Sequence, residues 1–245
     1  MAGDLVVLAD EAALAAAVAE RFVAAARFAL ERRGRFDVAL SGGSTPKAVY
    51  ALLAAPPAAT ALDWSAVRFF FGDERCVPPA DPESNYKTAL DGLLAPLRID
   101  AAHVFRMHGE DDPATAARDY AGVLRAELGA APVFDLVMLG MGPDGHTASL
   151  FPGTDPLTGD DELVRAPYVE KFSSYRITLT PRAINAAREV AIAAGGAAKA
   201  EALRDVREGP YEPVRLPIQI VAPARGSLTW FVDAAAASKL RNERA

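Results

Sequence analysis

Cysteine is all but missing from this chain of 245 residues, where Cys76 stands alone. A single thiol forms no intrachain disulfide, and no paired-cysteine or Cys/His spacing for zinc is present, so a reducing, cytoplasmic setting is expected. Long apolar runs are missing as well. The longest stretch without Asp, Glu, Lys or Arg covers residues 48–62 and is interrupted by Pro56 and Pro57, short of the roughly 18 apolar residues of a membrane span. Positive charge is in deficit: 26 Lys and Arg face 32 Asp and Glu, for a formal net charge of −6. That balance argues against general binding to nucleic acid or an anionic membrane, partners that usually need a basic face, while leaving room for a few local cations around a small anion. Asp4 stands early and no basic segment leads into an apolar one, so a secretory signal is not expected.

What the chain does have is core material: 51% of its residues are hydrophobic and 24% charged, which excludes wholesale disorder. Residues 5–8 read as a short buried strand. Residues 11–33 follow as an Ala-rich helix in which Leu14, Val18, Phe22 and Val23 recur near helical spacing. Further strands are expected at 36–40, 67–71, 134–139, 177–179, 190–193, 218–221 and 228–232. Helical patterns fill residues 46–53, 113–128, 181–187 and 197–206. This alternation predicts an α/β fold with a mainly parallel sheet covered on both faces. With no long polar linker and no fixed-period repeat, one domain over residues 1–245 is expected.

Ligands of such sheets bind beyond the carboxyl ends of the strands, and three unusual loops fall there. Ser41-Gly42-Gly43-Ser44-Thr45-Pro46 follows one strand and opens a helix. Its glycines allow close backbone approach, and a helix N-terminus offers free N–H groups to phosphate; a tight turn capped by Ser44 or Thr45 is the alternative. Gly72-Asp73-Glu74-Arg75 joins two acids to an arginine that can grip phosphate, or else forms a solvated charge cluster. The third loop, residues 140–147, contains Gly-x-Gly-x-x-Gly. A dinucleotide reading fits poorly, since Asp144 would face a pyrophosphate, Pro152-Gly153 interrupts the helix the motif should open, and Asp160 and Asp161 follow no clear second strand. Asp144 and His146, two residues apart, instead suit an orienting carboxylate and a general base. Lys199 and Arg176 are candidate phosphate cations, with ordinary surface or strand-edge positions as the alternative. His103, His108 and Cys76 lack activating or ligating partners, and Trp64 and Trp230 read as packing residues.

Together, residues 41–46, Gly72-Asp73-Glu74-Arg75-Cys76-Val77-Pro78, Ser84-Asn85-Tyr86, residues 106–110, 140–151, 176–180 and 196–200 resemble the 6-phosphogluconolactonase family over most of the chain. The resemblance implies a Rossmann-like three-layer α/β/α sandwich. It also implies hydrolysis of 6-phosphoglucono-δ-lactone in the oxidative pentose phosphate pathway, with no metal or cofactor. It assigns Gly42, Gly43, Ser44, Thr45, Arg75, Lys199 and Arg176 to phosphate or sugar recognition. His146, oriented by Asp144 or Asp73, is assigned to water activation. The related glucosamine-6-phosphate deaminase-isomerases carry a glutamate five residues after the histidine. Here that position is Phe151, so a displaced acid such as Glu74 would have to compensate. A non-catalytic sugar-phosphate sensor on the same scaffold is a further alternative, one that would not need His146.

Overall fold

The computed structural model describes residues 3–154 and 162–241. The chain opens with β1 (Asp4–Leu8) and α1 (Glu11–Arg33), then β2 (Phe36–Leu40), α2 (Ser44–Leu53) and β3 (Val67–Phe71). It continues with β4 (Asp73–Arg75), α3 (Asn85–Ala89), α4 (Pro113–Leu128) and β5 (Leu136–Gly140). After β6 (Val164–Arg165), β7 (Tyr168–Val169) and β8 (Ser174–Leu179) come α5 (Pro181–Asn185), β9 (Glu189–Ala194), α6 (Ala200–Glu208) and β10 (Ser227–Asp233). Six strands form a parallel sheet in the order β1-β10-β9-β5-β2-β3, flanked by helices in a Rossmann-like sandwich. Among the described residues no helix is long and apolar enough to cross a membrane.

Local chemistry explains α1. Asp10 accepts a hydrogen bond from the Ala13 N–H at 2.8 Å, which caps the first turn, and Gly34 closes the last at φ 68°. Leu14, Val18, Phe22, Ala26 and Ala29 fall on one stripe and are buried. Phe22 meets Phe36 of β2 edge to face at 5.3 Å, and full burial of such a side chain contributes about 1.5–3 kcal/mol. At the amino end of the sheet the buried Asp37 pairs with Arg68 and Arg35. Asp135 pairs with Arg33 and Arg188.

Four expectations fail. Residues 5–8 are a strand but not a buried one: β1 is an edge, and Val7 is 49% exposed. Residues 218–221 are not a strand. Pro217–Ile220 is a 3-10 turn, since Pro217 has no N–H to give a ladder, and the Ile218 N–H goes to the Gly145 carbonyl at 2.9 Å. The Gly72–Arg75 segment is not a loop throughout, because Asp73–Arg75 forms β4, which pairs antiparallel with β8. Strands β4, β8 and β6 make a small antiparallel sheet, and β7 also pairs with β8. Residues 177–179 thus belong to this second sheet, not the parallel one. Gly72 joins the sheets, donating to Leu40 O at 2.8 Å while its own carbonyl accepts from Leu179 N at 2.8 Å.

In the parallel order, β2 leads outward to β3 on one side while β5 starts the run to β9 and β10 on the other. The carboxyl ends of β9, β5 and β2 therefore lie side by side at the point where strand order reverses, the usual location of a ligand crevice. The first loop there is tied down from α2: the buried Tyr50 hydroxyl donates to the Ser41 carbonyl at 2.5 Å and accepts from the Ser41 N–H at 3.2 Å. We expect Tyr50→Phe, which keeps the ring and removes both bonds, to cost about 1–3 kcal/mol in urea unfolding. An unchanged urea midpoint would show that Ser41 finds another partner.

Candidate functional site

The turns that follow β2, β5 and β9 enclose, with β4, a cavity of about 220 Å³. Gly42, Gly43, Ser44, Thr45, Asp73, Arg75, His146 and Lys199 all border it, so segments far apart in sequence converge here. Two predicted site residues do not border it. Asp144 sits behind His146, and Arg176 lies opposite Arg75 on the paired strands, 9% exposed, with its guanidinium 5.1 Å over the Phe172 ring.

Arg75 and Lys199 give the cavity positive charge. No described carboxylate forms an ion pair with Arg75, Arg176 or Lys199; Arg75 donates to the Glu83 carbonyl and Arg176 to that of Tyr175. Burial pushes the Lys199 ammonium below its usual pKa, with Asp144 opposing. Burial also lowers the Arg176 guanidinium, and the neighbouring Arg75 adds to the effect. Both shifts signify charge held at a cost that an anion would relieve. The N-terminus of α2 faces the same space with no side chain capping it, leaving first-turn N–H groups for an acceptor. The Ser41 hydroxyl on this wall is buried with no partner.

His146 borders the same cavity. Its Nδ1 meets Asp144 Oδ1 at 2.5 Å, and Asp144 Oδ2 accepts from Lys171 Nζ at 2.8 Å. Burial opposes ionisation of Asp144, but the hydrogen bonds from His146 and Lys171 outweigh it and hold the carboxyl well below the usual range. A neutral imidazole that donates Nδ1–H to Asp144 carries its lone pair on Nε2. The ring stacks on Phe151 at 4.2 Å, and Phe151 packs edge to face against Phe172 at 5.5 Å. Only glycine fits at position 142, where a Cβ would lie 2.0 Å from His146 Nδ1 and 2.6 Å from Asp144 Oδ1.

Of the two acids considered for orienting His146, the one in contact is Asp144. Asp73 accepts from Asn85 Nδ2 at 3.0 Å and from the Ser149 hydroxyl at 2.7 Å. Glu74 is neither solvated nor available as a displaced acid. It is 2% exposed, and its carboxylate accepts from the N–H groups of Arg75, Asn85 and Tyr86 and from the Ser84 hydroxyl. Burial still pushes its pKa up against those four donors. Glu74 thus anchors the start of α3, and α3 delivers Asn85 to Asp73. No helix follows the Gly140 loop among the described residues before position 155, which removes the dinucleotide reading; Asp160 and Asp161 lie outside the described residues. Sequence reasoning missed Ser149, Lys171 and any role for Asn85. Ser84-Asn85-Tyr86 was visible as a motif, whereas Lys171 has no local signature.

Residues 9–230 match the family model described as glucosamine-6-phosphate isomerases/6-phosphogluconolactonase. The chain is 38% identical over 239 residues to a 6-phosphogluconolactonase of Nostoc sp., covering 96% of this chain and 97% of that protein. It is 38% identical over 218 residues to a 6-phosphogluconolactonase of Synechocystis sp., covering 87% and 88%. Among solved structures, 6-phosphogluconolactonase from Trypanosoma cruzi superimposes with a TM-score of 0.88 at 29% identity, covering 100% of this chain and 98% of that one.

We expect Gly142→Ala to fold but to expel the imidazole from its place, at about 1–3 kcal/mol of stability. A crystal structure of the variant with the His146–Asp144 contact intact would contradict the steric argument.

Proposed function

Because the chain belongs to the glucosamine-6-phosphate isomerase/6-phosphogluconolactonase family, we propose that it hydrolyses 6-phospho-D-glucono-1,5-lactone to 6-phospho-D-gluconate, with His146 as general base. The observation that carries this reading is a single cavity bordered both by cations without a described carboxylate partner and by a carboxylate-held imidazole. Arg75, Lys199 and the α2 N-terminus would hold the phosphate, and Arg176, paired with Arg75 across the two strands, would add positive charge beside it. Anchoring the phosphate turns binding energy into orientation of the distant lactone carbonyl.

In this mechanism Nε2 of His146 takes a proton as water attacks the lactone carbonyl carbon. Asp144 fixes the tautomer and steadies the imidazolium that forms. Collapse of the tetrahedral intermediate breaks the bond to the ring oxygen, and the imidazolium returns the proton to that oxygen. The N–H groups of Gly142 and Gly145 already donate within their own turn, so the oxyanion would take its hydrogen bonds from other donors on the cavity wall. Asp73, held by Asn85 and Ser149 on the cavity wall, is placed to accept from a sugar hydroxyl.

A deaminase-isomerase reading loses support, since Phe151 packs flat on the imidazole and Glu74 is occupied inside the fold. A sensor would need the cations but not the Asp144–His146 pair.

The test is a background-corrected assay on freshly generated lactone, which also opens spontaneously. His146→Asn should lower kcat by about 10²–10⁴ with KM little changed, and wild-type turnover in the folded variant would overturn the base assignment. Arg75→Ala should raise KM by about 10–100-fold, the size of one charge-assisted hydrogen bond; an unchanged KM would remove Arg75 from phosphate binding. Asp144 stays ionised far into acid, so its own protonation would not set the acid limb expected of a reaction with His146 as base. Asp144→Asn removes a negative charge beside the imidazole and should move that limb to lower pH. A limb moved upward would contradict the assignment.

A further inference from the structure

Lys171 lies outside every motif of the chain, 25 residues beyond His146 and across the undescribed residues 155–161. It sits at the turn between β7 and β8, where Glu170–Phe172 forms a single 3-10 turn and Ser173 takes a left-handed φ of 46°. An L residue other than Gly, Asn or Asp adopts that conformation at a cost, and here it reverses the chain so that three neighbouring side chains point at the site. Lys171 reaches Asp144, Phe172 packs on Phe151 beneath the imidazole, and Arg176 stacks on Phe172 while pairing across the strands with Arg75.

We propose that Lys171 is a positioning residue for the reaction: through Asp144 it fixes the orientation of His146 and limits how strongly the carboxylate favours the protonated imidazole. The proposal rests on the lactonase reading above. Geometry carries it. Each Asp144 oxygen has its own partner, Nδ1 of His146 on Oδ1 and Nζ of Lys171 on Oδ2, so the carboxylate cannot rotate without losing one. A carboxylate with a free second oxygen is a stronger anion toward the imidazole than one shared with an ammonium. A base held protonated at neutral pH cannot accept a proton from water.

The charged groups facing His146 come from three further elements. Asp144 belongs to its own loop, Lys171 to the β7–β8 turn, Lys199 to the turn after β9, and Arg75 and Asp73 to β4. Of these only Asp144 touches the imidazole, and of the four remaining groups only Lys171 touches Asp144. Lys171 does not border the cavity that holds His146. Its removal should therefore act on the base and leave substrate affinity alone.

The experiment compares the full chain with Lys171→Met and Lys171→Arg. Lys171→Met should move the acid limb of kcat/KM up by about half a unit to one unit, lowering the rate about 3–10-fold below the limb, with KM within about twofold. Lys171→Arg should restore the wild-type limb. Because the Lys171 side chain is 54% exposed, the shift should shrink as salt is added. Nitrogen-15 NMR of the His146 ring in the substrate-free protein should change in Lys171→Met and not in Lys171→Arg. A limb that stays put or moves down, or an arginine variant that behaves like methionine, overturns the proposal. If the wild-type chain shows no hydrolysis above background, the lactonase reading fails. Ring signals unchanged between wild type and Lys171→Met would overturn the coupling itself.

Discussion

Charge inside a protein must be compensated, and the two ends of the parallel sheet solve this differently. At the amino end, Asp37 and Asp135 are buried and each is gripped by two arginines. At the carboxyl end, Arg75, Arg176 and Lys199 gather with no described carboxylate paired to them, beside an uncapped helix N-terminus. The nearest acids are committed elsewhere: Asp73 to Asn85 and Ser149, Glu74 to the start of α3, Asp144 to His146 and Lys171. That deficit of negative charge is what an anionic group of a substrate would fill, and the rest of the site is arranged around it.

The arrangement depends on close approach as much as on charge. Asn85 Oδ1 lies 1.7 Å from where a Cβ of residue 42 would stand, and His146 occupies the same kind of space at residue 142. Two missing side chains thus bring the Gly42–Gly43 loop against α3 and fold the Gly142 turn onto itself. The segment at 217–220 contributes from behind: Leu216 packs against Gly145, and the Ile218 N–H holds the Gly145 carbonyl. The support for the Asp144–His146 contact is therefore distributed over the parallel sheet, the small antiparallel sheet and a 3-10 turn.

Much of this was legible in the chain because the parallel strands are buried on both faces and show as short apolar runs at 36–40, 67–71 and 228–232, with helical periodicity between them. Strand β4 was not legible. Asp-Glu-Arg carries no apolar alternation, and it is a strand because β8 lies alongside and Glu74 finds four donors. Residues 218–221 misled for the opposite reason, since a buried apolar run of four residues suits a strand and a 3-10 turn equally. At the site, Gly42, Gly43, Arg75, Asp144, His146 and Lys199 announced themselves by residue type in glycine-rich surroundings. The choice between Asp73 and Asp144 as the partner of His146 needed coordinates, and so did Lys171, a lone lysine whose meaning comes only from a distant carboxylate.

The central claim is that one cavity holds a sugar phosphate by its charged end and presents the opposite end to His146. A crystal structure of the chain with the product, 6-phosphogluconate, tests it most directly. The account predicts the phosphate among Arg75, Lys199 and the first turn of α2, with the carboxylate carbon within about 4 Å of Nε2 of His146. A phosphate bound elsewhere, or a carboxylate carbon turned away from the imidazole, would contradict it.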